Sequence, residues 1–242
     1  MTTDSRLPSS VSAGLDALVE AFTRLLGDDL VSLTLFGSAA EGRLRASSDV
    51  NVLVVVREGD AAVLAALRQD VRKARLAIGL EPMIIREDEL AEAASAFAEK
   101  FADARGRRRV LAGKDVLASL EIPREALKAR LAQSLLNMLL RLRRALVQLP
   151  GTDDRAAAVL SEMAGPLRGC AHALLELEGG STVSPREALA AVAGADAALA
   201  QSVARLSEAR EARAMPADAA DEALRRLIVL TQSMRTRLAA LR

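Results

Sequence analysis

The chain has no tryptophan and no tyrosine, and its aromatic content is 2%, supplied by four phenylalanines. That removes the ring platforms on which single-strand nucleic-acid binders stack bases. A single cysteine, Cys170, rules out an internal disulfide and fits a reducing compartment. One histidine, His172, excludes a histidine-rich zinc site. Neither sign of charge dominates: 33 Lys and Arg face 32 Asp and Glu, a net charge of +1. No global field therefore draws in nucleic acid, and the basic run ARGRRRV (104–110) reads as a solvated helix end. No apolar run approaches the roughly 18 residues of a membrane span. The opening MTTDSRLPSS lacks the apolar core of a signal peptide. The expected location is the cytoplasm, with no membrane partner.

What the chain does have is apolar residues (51%) in two kinds of pattern. Residues 11–27 repeat Leu15, Leu18, Val19, Phe22, Leu25 and Leu26 at helical spacing, and Gly27 closes the run. LVSLTLF (30–36) and VNVLVVV (50–56) read as strands, the second central because it is almost continuously apolar. Residues 61–78 predict a helix. LEPMII (80–85) predicts a third strand, at an edge or a strand's beginning because of Pro82. Residues 87–104 return to helix. This is an α/β (α+β) unit with a mixed sheet.

Beyond about residue 120 the pattern is helical only. Helices are expected over 127–149, over 153–178 with a break or bend near Gly165–Pro166, from Ser184 towards Arg213 with an interruption near Gly194, and over 216–241. Ser184-Pro185-Arg186-Glu187 carries a capping box with proline at the first helical position. These predict an all-α helical bundle. The expected division is a domain over 1–118 and a bundle over 119–242, with one leucine stripe of the bundle available as a homodimer face.

Chemistry concentrates in LFGSAAEGRLRASSDVNVLVVV (35–56). Gly37 directly after a strand lets the backbone approach a ligand, and the amides of Gly37 and Ser38 with the Ser38 hydroxyl can donate to phosphate oxygens. Arg43 and Arg45 lie in the loop where they would neutralise a triphosphate, whereas Ser47 and Ser48 read as loop-capping hydroxyls. Asp49 and Asn51 are separated by one residue, so on a strand they point to one face while Val50 points into the core. That spacing offers two oxygen donors to one Mg²⁺ at about 2.0–2.1 Å.

This run resembles the signature of the nucleotidyltransferase superfamily, which includes DNA polymerase beta-like enzymes and the kanamycin-type and minimal nucleotidyltransferases. Its pattern is a Gly-Ser pair, two carboxylates one residue apart, and a third carboxylate on a later strand. Here those positions are Gly37 and Ser38, Asp49 and Asn51, and Glu81. RVLAGKDVLASLEIPREALKARL (109–131) resembles the family's link to its helical domain, and the likeness spans about residues 12–150. The resemblance implies transfer of a nucleoside monophosphate from an NTP to a hydroxyl of a small molecule or protein. Mg²⁺ would be held at Asp49 and position 51, phosphate at Gly37, Ser38, Arg43 and Arg45, with Glu81 as base. Two departures stand out: asparagine at 51, which offers a carbonyl oxygen without charge, and no tyrosine near Ala112. Asn51 also opens a second reading, a pseudoenzyme that serves as nucleotide sensor or protein-interaction module.

Overall fold

The computed structural model describes residues 7–42, 44, 49–149, 152–180, 184–212 and 214–241. The chain forms two compact units, residues 1–123 and 124–242. The first is a mixed α/β domain and the second is all helical.

The α/β unit begins with α1 (Ser9–Leu26), whose Leu15, Leu18, Phe22 and Leu26 are buried. A short 3₁₀ turn leads into β1 (Leu30–Phe36), and β2 (Val50–Val56) returns antiparallel to it. Asp29 ties the far end of this pair: its carboxylate accepts from the Glu58 amide at 2.6 Å and the Gly59 amide at 3.2 Å. Asp60 then caps α2 (Ala61–Ala66), taking the Ala62 and Val63 amides.

The helix expected over 61–78 is divided at Leu67, which is buried, and α3 follows (Arg68–Ile78). Gly79, in the left-handed conformation, ends α3 and starts β3 (Leu80–Arg86). The stretch expected as one helix over 87–104 is likewise divided at Phe97, into α4 (Leu90–Ala96) and α5 (Ala98–Gly106).

The basic run after α5 is not a helix end alone. Arg108–Gly113 form β4, which pairs antiparallel with β1. Pairing to β1 overrides the weak strand propensity of the arginines, and an edge strand carries charge well because it discourages further pairing. The sheet order is β3-β2-β1-β4, with β2 and β3 parallel. β3 is thus an edge strand, where Pro82 costs no ladder bond on the outer side.

Alternation along the strands builds two cores. Leu33, Leu35, Val50, Val52, Val54 and Val56 pack on one face with α1, Leu67, Ala74 and Ile78. Phe36, Leu53 and Val55 pack on the other with Ala93, Ala94, Phe101, Ala104 and Leu117. Because Leu117, Val116, Leu120 and Ile122 join this second core, the first unit reaches Pro123, past the 118/119 division expected from sequence.

The second unit holds α6 (Arg124–Val147), α7 (Asp153–Leu177), α8 (Pro185–Ala193), α9 (Ala197–Ala212) and α10 (Ala217–Ala240). α7 packs on α6, α8 and α9, and α10 packs on α6 and α9. The capping box at Ser184 is formed: Ser184 Oγ accepts from the Glu187 amide, and the Glu187 carboxylate accepts from the Ser184 amide at 2.8 Å. Of the break or bend expected near Gly165–Pro166, a break does not occur. α7 continues through Pro166, which is exposed, while Met163, Ala164 and Leu167 beside it are buried and hold both halves in the bundle. Among the described residues, no helix is long and apolar enough to cross a membrane.

Candidate functional site

One row of residues crosses the sheet at the end where β1 finishes and β2, β3 and β4 begin. Glu81 pairs with Asn51, Asn51 with Phe36, and Phe36 with Arg108. Residues in register on neighbouring strands lie about 4.8 Å apart and share a face, so Glu81, Asn51, Phe36 and Arg108 form a line across all four strands. The face is that of Leu53 and Val55, opposite the fully buried Val50.

Each end of the row is fixed by local geometry. The Val50 amide donates to the Gly79 carbonyl at 2.9 Å, which ties the start of β2 to the turn that launches β3. Asp49 immediately precedes β2 and is exposed, and Asn51 is half-buried. The Asn51 side-chain amide donates weakly, at 3.5 Å, to the Asp49 carbonyl, which leaves its Oδ1 as an oxygen donor.

After Phe36 the chain enters the tight turn Gly37–Ala39. Gly37 has φ 76°, a left-handed value that favours glycine. Crowding is not the reason, since an added Cβ would meet only Asp103 Oδ2, at 3.9 Å. The Gly37 amide donates to the Arg107 carbonyl at 2.9 Å. It is therefore already engaged, while Ser38, next in the turn, is half-buried.

Sequence reasoning missed the group that braces this turn. Arg107 donates to Asp103 (2.8 Å from Nε) and to Glu41 (3.1 Å) with its side chain only 16% exposed. It thereby links α5 to the residues following the turn. The i,i+4 spacing of Asp103 and Arg107 was a legible signal for half of this cluster, but Glu41 is brought in only by the fold. Glu81 is ion-paired with Arg75 at 2.8 Å. Arg108 grips Asp115 through three hydrogen bonds of 2.9–3.1 Å. That grip holds the Asp115 carboxyl below its ordinary range. Lys100 of α5 lies over the Phe36 ring, 5.8 Å from its centroid.

The expected residues thus meet in part. Gly37, Ser38, Asp49, Asn51 and Glu81 gather at one end of the sheet. Arg43 and Arg45, with Ser47 and Ser48, lie outside the described residues. Among the described residues, no three His, Cys, Asp or Glu side chains come together as a metal cluster. The donor set does not fit a pair of Mg²⁺ ions, because Asn51 stands neutral where a bridging carboxylate is needed and Glu81 is engaged by Arg75. A single Mg²⁺, which takes oxygen ligands, would have Asp49 and Asn51 Oδ1 as its holders here.

No protein-family model matches the chain, and no curated protein matches it in sequence. Its structure is similar to the crystal structure of spectinomycin adenyltransferase AAD(9) from Enterococcus faecialis with ATP and spectinomycin. The TM-score is 0.61 at 17% identity, over 94% of this chain and 98% of that one. At that identity the likeness bears on the fold: an α/β domain followed by a helical bundle, the nucleotidyltransferase-like arrangement.

Proposed function

We propose that the first unit binds a nucleoside triphosphate at this end of the sheet and transfers its nucleoside monophosphate to a hydroxyl, of a small molecule in preference to a protein. The observation that carries this reading is the juxtaposition of the Gly37–Ser38 turn with Asn51 and Glu81 in neighbouring register, Asp49 leading into the same strand. The structural neighbour, crystallised with ATP and spectinomycin, supports a nucleotide and a small acceptor.

In this reading Ser38 donates its amide and hydroxyl to phosphate oxygens, in a turn braced by Arg107. Asp49 and Asn51 Oδ1 hold one Mg²⁺, which when bound offsets triphosphate charge. Glu81 orients the acceptor hydroxyl and takes its proton, for which it must loosen its pair with Arg75. The hydroxyl oxygen bonds to the α-phosphorus, and the bond from that phosphorus to the pyrophosphate oxygen breaks. With only one carboxylate on the metal, turnover is expected to be slow, by roughly 10²-fold against a two-carboxylate site.

The test is pyrophosphate release from ATP with Mg²⁺ or Mn²⁺ across a panel of small hydroxylated acceptors. Release is expected, and Asp49→Ala should lower it by about 10²-fold or more. Absence of release with every nucleoside triphosphate would overturn transferase activity. One observation favours a second reading: Glu41 and Glu81, the acids nearest Asp49 in the turn and the row, both hold arginines. A nucleotide sensor or interaction module follows from that, and ATP binding without release would support it.

A further inference from the structure

We propose that Lys100 is a phosphate-binding residue, its ammonium taking the β- or γ-phosphate of the bound nucleoside triphosphate. This rests on the nucleotide site proposed above. A triphosphate brings more negative charge than a single divalent cation cancels, so a site with one metal position needs a further cation. The described cations around the row are mostly committed. Arg75 holds Glu81, Arg107 holds Glu41 and Asp103, and Arg108 holds Asp115. Lys100 differs: among the described residues it makes no ion pair, and it is exposed.

Its position fits the role. Phe36, beneath the ammonium, is the row's third member, with Asn51 beside it on β2 and Gly37–Ser38 following it in the chain. A phosphate held between the Ser38 turn and Asn51 would therefore lie on the Phe36 side of the sheet end, which Lys100 overhangs. The residue that ends the same helix, Arg107, accepts from the Gly37 amide through its carbonyl at 2.9 Å, so α5 is tied to the turn itself. The contact with the ring is weak at an exposed position and holds the ammonium in place without neutralising it. A lysine is suited to surrender such a contact, being a compact point charge on a flexible stem. Asp49 is the counterpart: among the described residues it too makes no ion pair, so the site keeps one anion for a cation and one cation for an anion.

The experiment is calorimetric binding of ATP and AMP, each with Mg²⁺ at fixed ionic strength, to the full chain and to Lys100→Gln and Lys100→Arg. Lys100→Gln should weaken ATP by about tenfold or more while leaving AMP within about twofold, and Lys100→Arg should retain most ATP affinity. In the unaltered protein, ATP should also shield Lys100 from amine acetylation, read by mass spectrometry. ATP binding unchanged in Lys100→Gln, or an equal loss in Lys100→Arg, overturns the assignment and leaves the nucleotide site standing. Acetylation of Lys100 unaffected by saturating ATP overturns it without recourse to a variant. No ATP binding by the unaltered protein overturns both.

Discussion

Asn51 of β2 stands in parallel register beside Glu81 of β3, and the two share the sheet face that Asp49 leads into. An amide there supplies an oxygen but no charge, while its neighbour's carboxylate is turned to Arg75 at 2.8 Å. In the proposed reading, metal binding would therefore hang on one charged residue, Asp49.

Restoring the missing charge is the direct check of this arrangement. Asn51→Asp places a carboxylate two residues beyond Asp49, on the β2 face shared with Glu81. Divalent-ion affinity, read by calorimetry with Mn²⁺, should rise by about tenfold or more. The new charge sits beside Glu81 on the neighbouring strand, so a small loss of stability should accompany the gain. Unchanged affinity would mean that positions 49 and 51 do not face one cation.

Two glycines with the same φ of 76° should respond very differently to alanine. At Gly37 the added Cβ meets nothing closer than 3.9 Å, so the cost is the left-handed backbone alone, about 1–2 kcal/mol. At Gly113 the Cβ would fall 2.3 Å from the Val31 carbonyl oxygen, which is backbone and takes a hydrogen bond from the Lys114 amide. Either β4 or β1 must move. Gly113→Ala should cost about 4 kcal/mol or more, measured by urea unfolding. Equal losses at the two positions would contradict the close approach of β4 to β1.

The fork from Arg108 to Asp115 gives a pH dependence of known sign. Its hydrogen bonds hold the Asp115 carboxyl below the ordinary range in the folded state. The contribution is therefore present above the unfolded value of about 3.9 and is lost as pH falls through the folded value. Asp115 is 37% exposed, so solvent screening keeps the effect below about 1 kcal/mol. Asp115→Asn should remove that part of the acid loss, seen as a flatter urea midpoint between about pH 5 and pH 3.

Much of this was legible in the residues. The alternation of 30–36 and the apolar run of 50–56 placed β1 and β2 because buried strands advertise themselves by composition. The one-residue gap between Asp49 and Asn51 led to the start of β2, where Asn51 lies in the strand and Asp49 just before it. β4 was not legible, because Arg108, Arg109 and Val110 become a strand only by pairing with β1. Arg107 and Lys100 were missed for a related reason. Each acts through a partner distant in sequence, Glu41 for one and Phe36 for the other, which local pattern cannot supply.

Pro166 shows the opposite failure, a local rule overruled by packing. Proline removes an amide donor and crowds the carbonyl four residues back, so a break or a bend was expected, yet α7 runs unbroken from Asp153 to Leu177. Ala164, Leu167 and Ala171 are wholly buried around it, and the bundle contacts outweigh the lost bond. The ring itself is exposed, so its replacement opens no cavity. Pro166→Ala should return one helical hydrogen bond and relieve the crowding, worth up to about 3 kcal/mol. The freer unfolded chain offsets about 0.4–1 kcal/mol of that, so a net gain of about 1–2 kcal/mol and a higher melting temperature are expected. A lower melting temperature would mean that the proline shapes α7 in a way its neighbours require.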